Sequence, residues 1–281
     1  MRIKQKITTA FVMLFSVTAM QAQVMRFVYQ VKTTPDSTST EFTKTENAYL
    51  DTDGKKSFFY SENRLLRDSV MSRMRSTRTF DPSQMENLRS NINYVVEKNY
   101  STQKTVYKDR IGRDQYAYEE KAPMEWKILP NTLKIGDYNT QEAETTFGGR
   151  TWTVWFTTDL PYQDGPYKFS GLPGLIVKAQ DAKQEYTFDL MQVKRIAEIP
   201  ILDQRGQDIS ISKEKYKKTL AAYQKNPEAY MNAERNMRSG PGGGGPGGAP
   251  PPPSGANNRF KEMRDRMIKE VKSNNNPIEL K

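Results

Sequence analysis

Apolar and polar positions alternate through residues 26–195, and this period of two predicts a series of short β-strands. The alternation is clearest in the segment 150–157, where Trp152, Val154 and Phe156 share one face. The predicted strands are 27–31, 48–50, 56–60, 94–101, 104–110, 115–121, 126–128, 138–147, 150–157, 175–179 and 186–193.

Turn-forming pairs separate several of these strands. Asp53-Gly54 and Gly148-Gly149 each stand between two apolar runs, which is the pattern of a tight β-hairpin. No helical pattern of 10–15 residues is evident between the strands, so the pattern favours an antiparallel sheet over β–α–β units. A short helix is predicted only over residues 81–89.

The hydrophobic period changes in the C-terminal third of the chain. A helix is predicted from Lys213, with Ser212 as its N-cap. Tyr216, Leu220 and Tyr223 then recur at positions i, i+4 and i+7, so they form the apolar stripe of this helix.

Residues 239–257 contain 8 Gly and 6 Pro and no charge, which is typical of a flexible linker that cannot form a core. A last amphipathic helix is predicted beyond the linker, and its apolar face carries Phe260, Met263, Met267, Ile268 and Val271. Because neither this helix nor the one that begins at Lys213 would be stable alone, the linker between them is interpreted as an insertion within one domain. Residues 278–280 are predicted as an edge strand.

The first 22 residues have the pattern of a secretory signal peptide. Arg2, Lys4 and Lys6 precede an apolar run that ends near Ala22, the predicted cleavage site. The run is too short to span a bilayer comfortably. We therefore expect an exported protein of the periplasm or cell exterior, folded over residues 23–281 as one mainly β domain. The expected architecture is a curved antiparallel sheet or half-open barrel covered by the C-terminal helices.

Charge is distributed unevenly along the chain. Residues 23–212 carry 26 basic and 26 acidic side chains, whereas residues 213–281 carry 14 basic and 7 acidic ones. No nucleic-acid recognition motif accompanies this basic tail, so nucleic acid is not expected as a partner. The tail favours contact with acidic envelope proteins or surfaces, or is simply solvated.

The chain contains no His and no Cys. This excludes catalytic triads that need histidine, cysteine nucleophiles, disulfides, zinc fingers and thiolate clusters. No cofactor and no metal are predicted. An enzyme would have to rely on carboxylates such as Asp159 with Asp164 or Glu142 with Glu144. Because any chain with 33 acidic residues offers such pairs, a non-enzymatic role is favoured.

The segment 159–181 is the richest in turn signals and contains three Pro and three Gly. Pro173-Gly174 fits the centre of a type II turn, in which Gly174 would adopt positive φ. The apolar side chains expected to be buried there are Tyr167, Phe169, Leu172, Leu175 and Ile176. Two interpretations stay open for this segment: it forms a structural corner, or it forms the floor or rim of a pocket.

The hexapeptide Gly171-Leu172-Pro173-Gly174-Leu175-Ile176 is identical to the motif that names the GLPGLI family of exported Bacteroidetes proteins. Further blocks resemble the same family: 56–61, 67–69, Trp126, 135–138, 142–143, 147–150, 155–156, 164–169 and 276–280. The resemblance implies export and a β-rich fold, but no established activity or catalytic residue. Many relatives carry a Cys where Thr140 and Gln141 stand here.

These features are compatible with three functions. The first is a non-enzymatic binding or carrier protein for an apolar or amphipathic ligand held in the concavity of the sheet. The second is an envelope assembly or scaffold partner that acts through the basic C-terminal helices, and the third is a hydrolase that uses carboxylates. The candidate binding residues are Trp126, Arg150, Trp152, Trp155, Asp164, Tyr167, Lys168, Phe169, Leu172 and Pro173. The candidate turn residues are Gly171, Pro173 and Gly174.

Overall fold

The computed structural model describes residues 23–38, 43–79, 81, 83–112, 114–121, 124–202, 207–228, 265, 268, 269, 271 and 274–280. The predicted signal peptide, the linker 239–257 and the residues Phe260, Met263 and Met267 lie outside this set. The strands are β1 (Val24–Thr33), β2 (Lys44–Thr52), β3 (Lys56–Ser61), β4 (Val95–Asn99), β5 (Lys104–Ile111), β6 (Asp114–Glu120), β7 (Lys127–Ile135), β8 (Tyr138–Phe147), β9 (Arg150–Thr157), β10 (Leu175–Asp181), β11 (Tyr186–Ile196) and β12 (Ile209–Ser210). The helices are α1 (Glu62–Thr77), α2 (Ser83–Glu86) and α3 (Lys213–Lys225).

The strands form one sheet in the order β12-β6-β5-β4-β3-β2-β1-β11-β10-β9-β8-β7. Neighbouring strands run antiparallel, except that the short β12 runs parallel to β6. The sheet ends at β7 and β12 and is not closed. The prediction of a mainly β fold is therefore confirmed, with one parallel pair that the alternation did not indicate.

Tight hairpins occur where the turn-forming pairs predicted them. Gly54 has φ of +82° between β2 and β3. Gly148 and Gly149 have φ of +62° and +83° between β8 and β9, where Phe147 pairs with Arg150. Two successive residues at positive φ suit a two-residue turn whose twist matches that of the strands.

Helix α1 contradicts the expectation that no long helix interrupts the strands. Its N-cap is Ser61, whose side chain accepts a hydrogen bond from the backbone N–H of Asn63, and Glu62 lies in the first turn. These are favourable start signals. The helix was missed because its apolar positions are few: Met74 is buried, whereas Leu66 is 45% exposed.

Strand β7 is longer than predicted. The expected strand ended at Ile128 before Pro130, but β7 continues through Pro130 to Ile135 and its register shifts between Ile128 and Thr132. Proline has no backbone N–H to donate. It is tolerated here because β7 is an edge strand, and no neighbouring strand on its outer side needs that hydrogen bond.

Both faces of the sheet bury apolar side chains. The larger cluster includes Phe27 and Tyr29 of β1. It is covered by residues 159–174, the crossover that connects β9 to β10, and it also packs against α3. The smaller cluster, on the other face, includes Val28 and is covered by residues such as Leu65 and Leu202. The alternation of β1 thus places successive side chains in different clusters.

Helix α3 begins as predicted, since the Ser212 side chain accepts from the backbone N–H of Lys215. Tyr216 is buried, and Leu220 and Tyr223 pack against the main core. The helix contacts β5 and β6, so it covers one end of the sheet face and not the whole face. The expected edge strand at 278–280 is wrong: these residues form no strand, although the N–H of Leu280 donates to the carbonyl of Gly148 at 2.6 Å.

Candidate functional site

The crossover 159–174 fills the centre of the larger sheet face. Tyr167, Phe169 and Leu172 are each at most 1% exposed, and Leu175 and Ile176 are fully buried, as predicted. The Phe169 ring lies 4.8 Å from the Trp152 ring, in an edge-on contact. Because these rings interdigitate, this part of the interior is packed by the protein's own side chains.

The turn at Pro173 differs from the type II turn predicted there. Gly174 does not adopt positive φ, and its N–H donates to the carbonyl of Leu172, two residues back, at 2.8 Å. A Cβ at Gly174 would lie 2.0 Å from the carbonyl oxygen of Thr157. Glycine is therefore required for a close backbone approach and not for its φ. Positive φ occurs instead at Gly171 (+94°).

A buried ion pair anchors the crossover to β4. The Lys98 ammonium pairs with the Asp164 carboxylate and donates to the carbonyls of Gly165 at 2.7 Å and Phe169 at 3.0 Å. Ser57 and Tyr100 each donate to the second oxygen of Asp164 at 2.5 Å. Burial lowers the pKa of Lys98, and Asp164 opposes this effect. Every polar atom of this pair has partners, so the pair serves as an anchor.

A cavity of about 260 Å³ lies beside this packed region, between the sheet and α3. We call it the tyrosine cavity because seven tyrosines line it: Tyr94, Tyr107, Tyr118, Tyr167, Tyr186, Tyr216 and Tyr223. Several of these rings contact one another; the Tyr94 and Tyr107 rings stack at 5.2 Å and the Tyr107 and Tyr118 rings at 5.0 Å. The aromatic walls are therefore held in place by their mutual contacts.

A few polar groups converge on the tyrosine cavity. The Tyr216 hydroxyl donates to Asp109 at 2.6 Å, and the Tyr167 hydroxyl donates to Glu279 at 2.6 Å. Burial raises the pKa of Asp109, while its hydrogen bond from Tyr216 opposes this shift. Within the described residues, the Tyr94 hydroxyl has no hydrogen-bond partner. It is therefore a candidate contact for a bound molecule.

A buried charge cluster lies under one wall of the cavity. The Lys168 ammonium contacts Glu120 at 2.9 Å and also pairs with Glu279. Lys213 contacts the same two carboxylates. Burial raises the pKa of Glu279, but Lys168, Tyr167 and Lys213 lower it by more, so that it lies at about 2. Two cations and two anions therefore neutralise each other next to the cavity.

The predicted binding residues do not converge on one site. Tyr167 lines the tyrosine cavity, and Lys168 lies in the charge cluster. Trp152, Phe169 and Leu172 are core residues, Asp164 is held by Lys98, and Arg150 binds the C-terminal segment. Trp126 donates to the carbonyl of Ser170 at 2.8 Å, Trp155 is half-buried on β9, and Pro173 is exposed with Gly171.

Sequence reasoning missed most of the cavity's residues, above all Tyr94, Tyr107 and Asp109. The available signal was the tyrosine content, 15 residues in all, and the alternate positions of tyrosines in β6. That signal does not show which tyrosines meet, because β5, β11 and α3 are distant in sequence. Within the described ranges, no group of three or more Asp or Glu residues is arranged to hold a metal ion.

Comparison with known proteins supports the fold and gives no activity. A family model described as "Protein of unknown function (Porph_ging)" matches residues 86–178. No curated protein matches the chain. Among the helices that the structure describes, none is both long and apolar enough to cross a membrane.

Two solved structures of PNGF-II resemble the chain. The structure in space group C2 has a TM-score of 0.50 at 20% sequence identity and covers 70% of this chain. The structure in space group P21 has a TM-score of 0.50 at 18% identity and also covers 70% of this chain. The match spans 32% and 33% of the two PNGF-II chains, about a third of their length. At this identity the likeness concerns the fold alone.

Proposed function

We propose that this chain is an exported envelope protein of the GLPGLI type that binds a small amphipathic ligand in the tyrosine cavity, without catalysing a reaction. The observation that carries the proposal is the cavity itself, a recess lined by seven tyrosines together with amide and charged side chains. Ligand sites are commonly concave, largely aromatic or apolar, and equipped with a small number of placed polar groups. Export rests on the N-terminal signal pattern and on the family resemblance.

The proposed ligand position is the tyrosine cavity and not the region of the aromatic strands beside the crossover. Trp152, Phe169 and Phe188 pack directly against one another, so no ligand can lie between these three rings. The tyrosine cavity, by contrast, lies under α3. Its size suits a ligand with one ring, and the Tyr94 hydroxyl and Asp109 would recognise a polar group on that ring.

The charges around the cavity favour a neutral ligand. The charged residues that line the cavity are two acids, Asp109 and Glu279, and two bases, Arg110 and Lys217. No excess of one sign is left for a strongly charged molecule. A phenol or a similar ring with one hydroxyl matches both the aromatic walls and the free Tyr94 hydroxyl.

Ligand-observed NMR with p-cresol and indole as probes tests the proposal. Both should show saturable binding to the wild-type chain. Leu220→Trp, which adds a large side chain at the cavity wall on α3, should weaken p-cresol binding at least tenfold. Leu66→Trp places the same side chain on α1, away from the cavity, and serves as the matched control. Absent binding of both probes, or equal binding to the two variants, would contradict the proposal.

A second candidate function is a scaffold role for the basic C-terminal region. Lys215, Lys218 and Lys225 are exposed on α3, so an acidic partner surface would meet a row of cations. If this role holds, Lys215→Glu with Lys218→Glu should abolish capture of envelope partners and leave p-cresol binding unchanged. The third candidate, a hydrolase that uses carboxylates, has less support. The Asp164 carboxylate is buried in an ion pair with Lys98, so it does not face a substrate.

A further inference from the structure

The C-terminal segment 274–280 lies in a groove made by distant parts of the chain. The Asn276 N–H donates to the carbonyl of Pro35 at 3.0 Å, and its side-chain amide donates to the carbonyl of Thr34 at 2.8 Å. The Tyr186 hydroxyl donates to the Asn276 carbonyl at 2.6 Å. The backbone and side chain of Asn276 are thus both recognised, although the segment forms no strand.

Arg150 recognises the middle of the segment. Its guanidinium donates to the carbonyls of Pro277 at 2.9 Å and Ile278 at 3.1 Å, and to the side-chain oxygen of Asn276. On its other side it pairs with Asp181 at 2.8 Å and Glu185 at 2.6 Å. Two carboxylates therefore hold the guanidinium in place, with its remaining N–H groups positioned to read a peptide backbone.

A second subsite recognises the carboxylate of Glu279. Lys168, Lys213 and the Tyr167 hydroxyl surround it. Without Glu279, the two lysines would share only the carboxylate of Glu120. One uncompensated cation would then be buried, so this subsite requires an anionic side chain.

Shape agrees with this specificity. Ile278 is only 8% exposed and joins the main core. A Cβ on Gly148 would lie 2.7 Å from Cγ of Glu279, so the glycine leaves the space that the segment occupies. The groove therefore selects an asparagine, an apolar residue and an acid at fixed spacing.

The connection to the rest of the chain does not force the segment into its own groove. Residues 229–273 separate the helical turn at Pro227-Glu228 from Asn274, and they include the stretch 239–257 rich in Gly and Pro. Positions 265, 268, 269 and 271 are helical, so the 36 residues 229–264 set the reach, which is at most roughly 120 Å at about 3.3 Å per residue. The reach is ample for a neighbouring copy, and exchange of an identical element between copies is a common route to dimers.

We infer that this groove is a peptide-recognition site for Asn-Pro-apolar-Glu sequences, filled here by residues 276–279, and that its partner is the same segment of a second copy of this chain. The inference does not depend on the proposed ligand of the tyrosine cavity. Its test uses the full chain and a fluorescein-labelled octapeptide with the sequence of residues 274–281, with binding measured by fluorescence anisotropy.

Two matched substitutions make the test specific. In the full chain, Glu279→Gln weakens the segment that competes for the groove, so the wild-type peptide should bind this variant about a hundredfold more tightly than the wild-type chain. In the peptide, the same Glu279→Gln change should weaken binding to any one chain by about a hundredfold, the upper size expected for a hydrogen bond to a charged group. The chain variant Asn276→Ala replaces Glu279→Gln if the latter fails to fold.

The second-copy assignment has its own readout. A tagged Glu279→Gln chain should capture the untagged wild-type chain, and the wild-type octapeptide should displace it. No saturable peptide binding to the folded variants, or equal binding of the two peptides, would overturn the recognition site. Saturable peptide binding with no capture of the wild-type chain would overturn the second copy as partner.

Discussion

Two neighbouring regions of the same sheet face are built from aromatic side chains and have opposite properties. Under the crossover, Trp152, Phe169 and Phe188 interlock and leave no space. Under α3, Tyr94, Tyr107 and their neighbours surround a cavity of about 260 Å³. A phenylalanine ring has no polar atom and Trp152 places its single N–H on the carbonyl of Phe147, whereas several buried tyrosine hydroxyls need polar partners at once in the other region. The Tyr216 and Tyr167 hydroxyls are accordingly oriented towards Asp109 and Glu279, and these directions restrict how closely the rings can interlock.

The largest effect in this comparison is expected for Gly174→Ala on the packed side. The added Cβ would meet the carbonyl oxygen of Thr157 at 2.0 Å, so the crossover would have to move away from β9. We expect a loss of more than about 4 kcal/mol in the free energy of unfolding, measured by urea denaturation. Gly54→Ala is the control, because it has positive φ but nothing within 4 Å and should cost only about 1 kcal/mol.

Phe169→Ala should be the next most damaging change. It removes a fully buried ring from the packed region, and such truncations cost about 3–5 kcal/mol. Thermal and urea unfolding would measure the loss. A cost below about 1 kcal/mol would mean that the crossover is loosely packed and that the contrast between the two regions is wrong.

Glu279→Gln tests the charge cluster beside the cavity. The folded pKa of about 2 lies below the ordinary 4.5, so the ionised carboxylate stabilises the fold above about pH 4.5. This contribution, of about 3 kcal/mol, is lost as the pH falls from 4.5 towards 2. Unfolding free energies at a series of pH values should show the variant less stable at pH 7 and the difference shrinking in acid.

Glu119→Gln is the control for that pH profile, because Glu119 is half-exposed in its pair with Lys104. Exposed pairs contribute little, so the loss should stay under about 1 kcal/mol. A difference for Glu279→Gln that stays constant between pH 7 and pH 2 would rule out the depressed pKa as its cause.

The smallest effect is expected for Tyr94→Phe, on the cavity side. The hydroxyl has no partner among the described residues, so its removal should change the free energy of unfolding by no more than about 0.5 kcal/mol. Tyr216→Phe removes a hydrogen bond to Asp109 and should cost about 1–3 kcal/mol. Urea denaturation of the two variants side by side distinguishes a hydroxyl available to ligand from one that supports the wall.

Local signals predicted much of the fold. The hairpins at Gly54 and Gly148-Gly149, the Ser212 cap of α3 and the burial of Phe169 are confirmed. Helix α1 was missed because it carries too few apolar positions for a clear helical period. The candidate site was predicted poorly: Tyr167 lines the cavity, while Trp152 proved to be core and the Arg150 side chain contacts the C-terminal segment.

By itself, the amino-acid sequence determined that the chain forms β-strands joined by tight turns, and that histidine and cysteine chemistry is excluded, because alternation, turn preference and composition are local properties. Only the tertiary structure decided which residues meet. The strand order places β11 beside β1 and sets α3 against β5 and β6, which brings together tyrosines that are up to 129 positions apart in the chain, from Tyr94 to Tyr223. Such contacts depend on long-range packing of whole elements, and no local pattern encodes their partners.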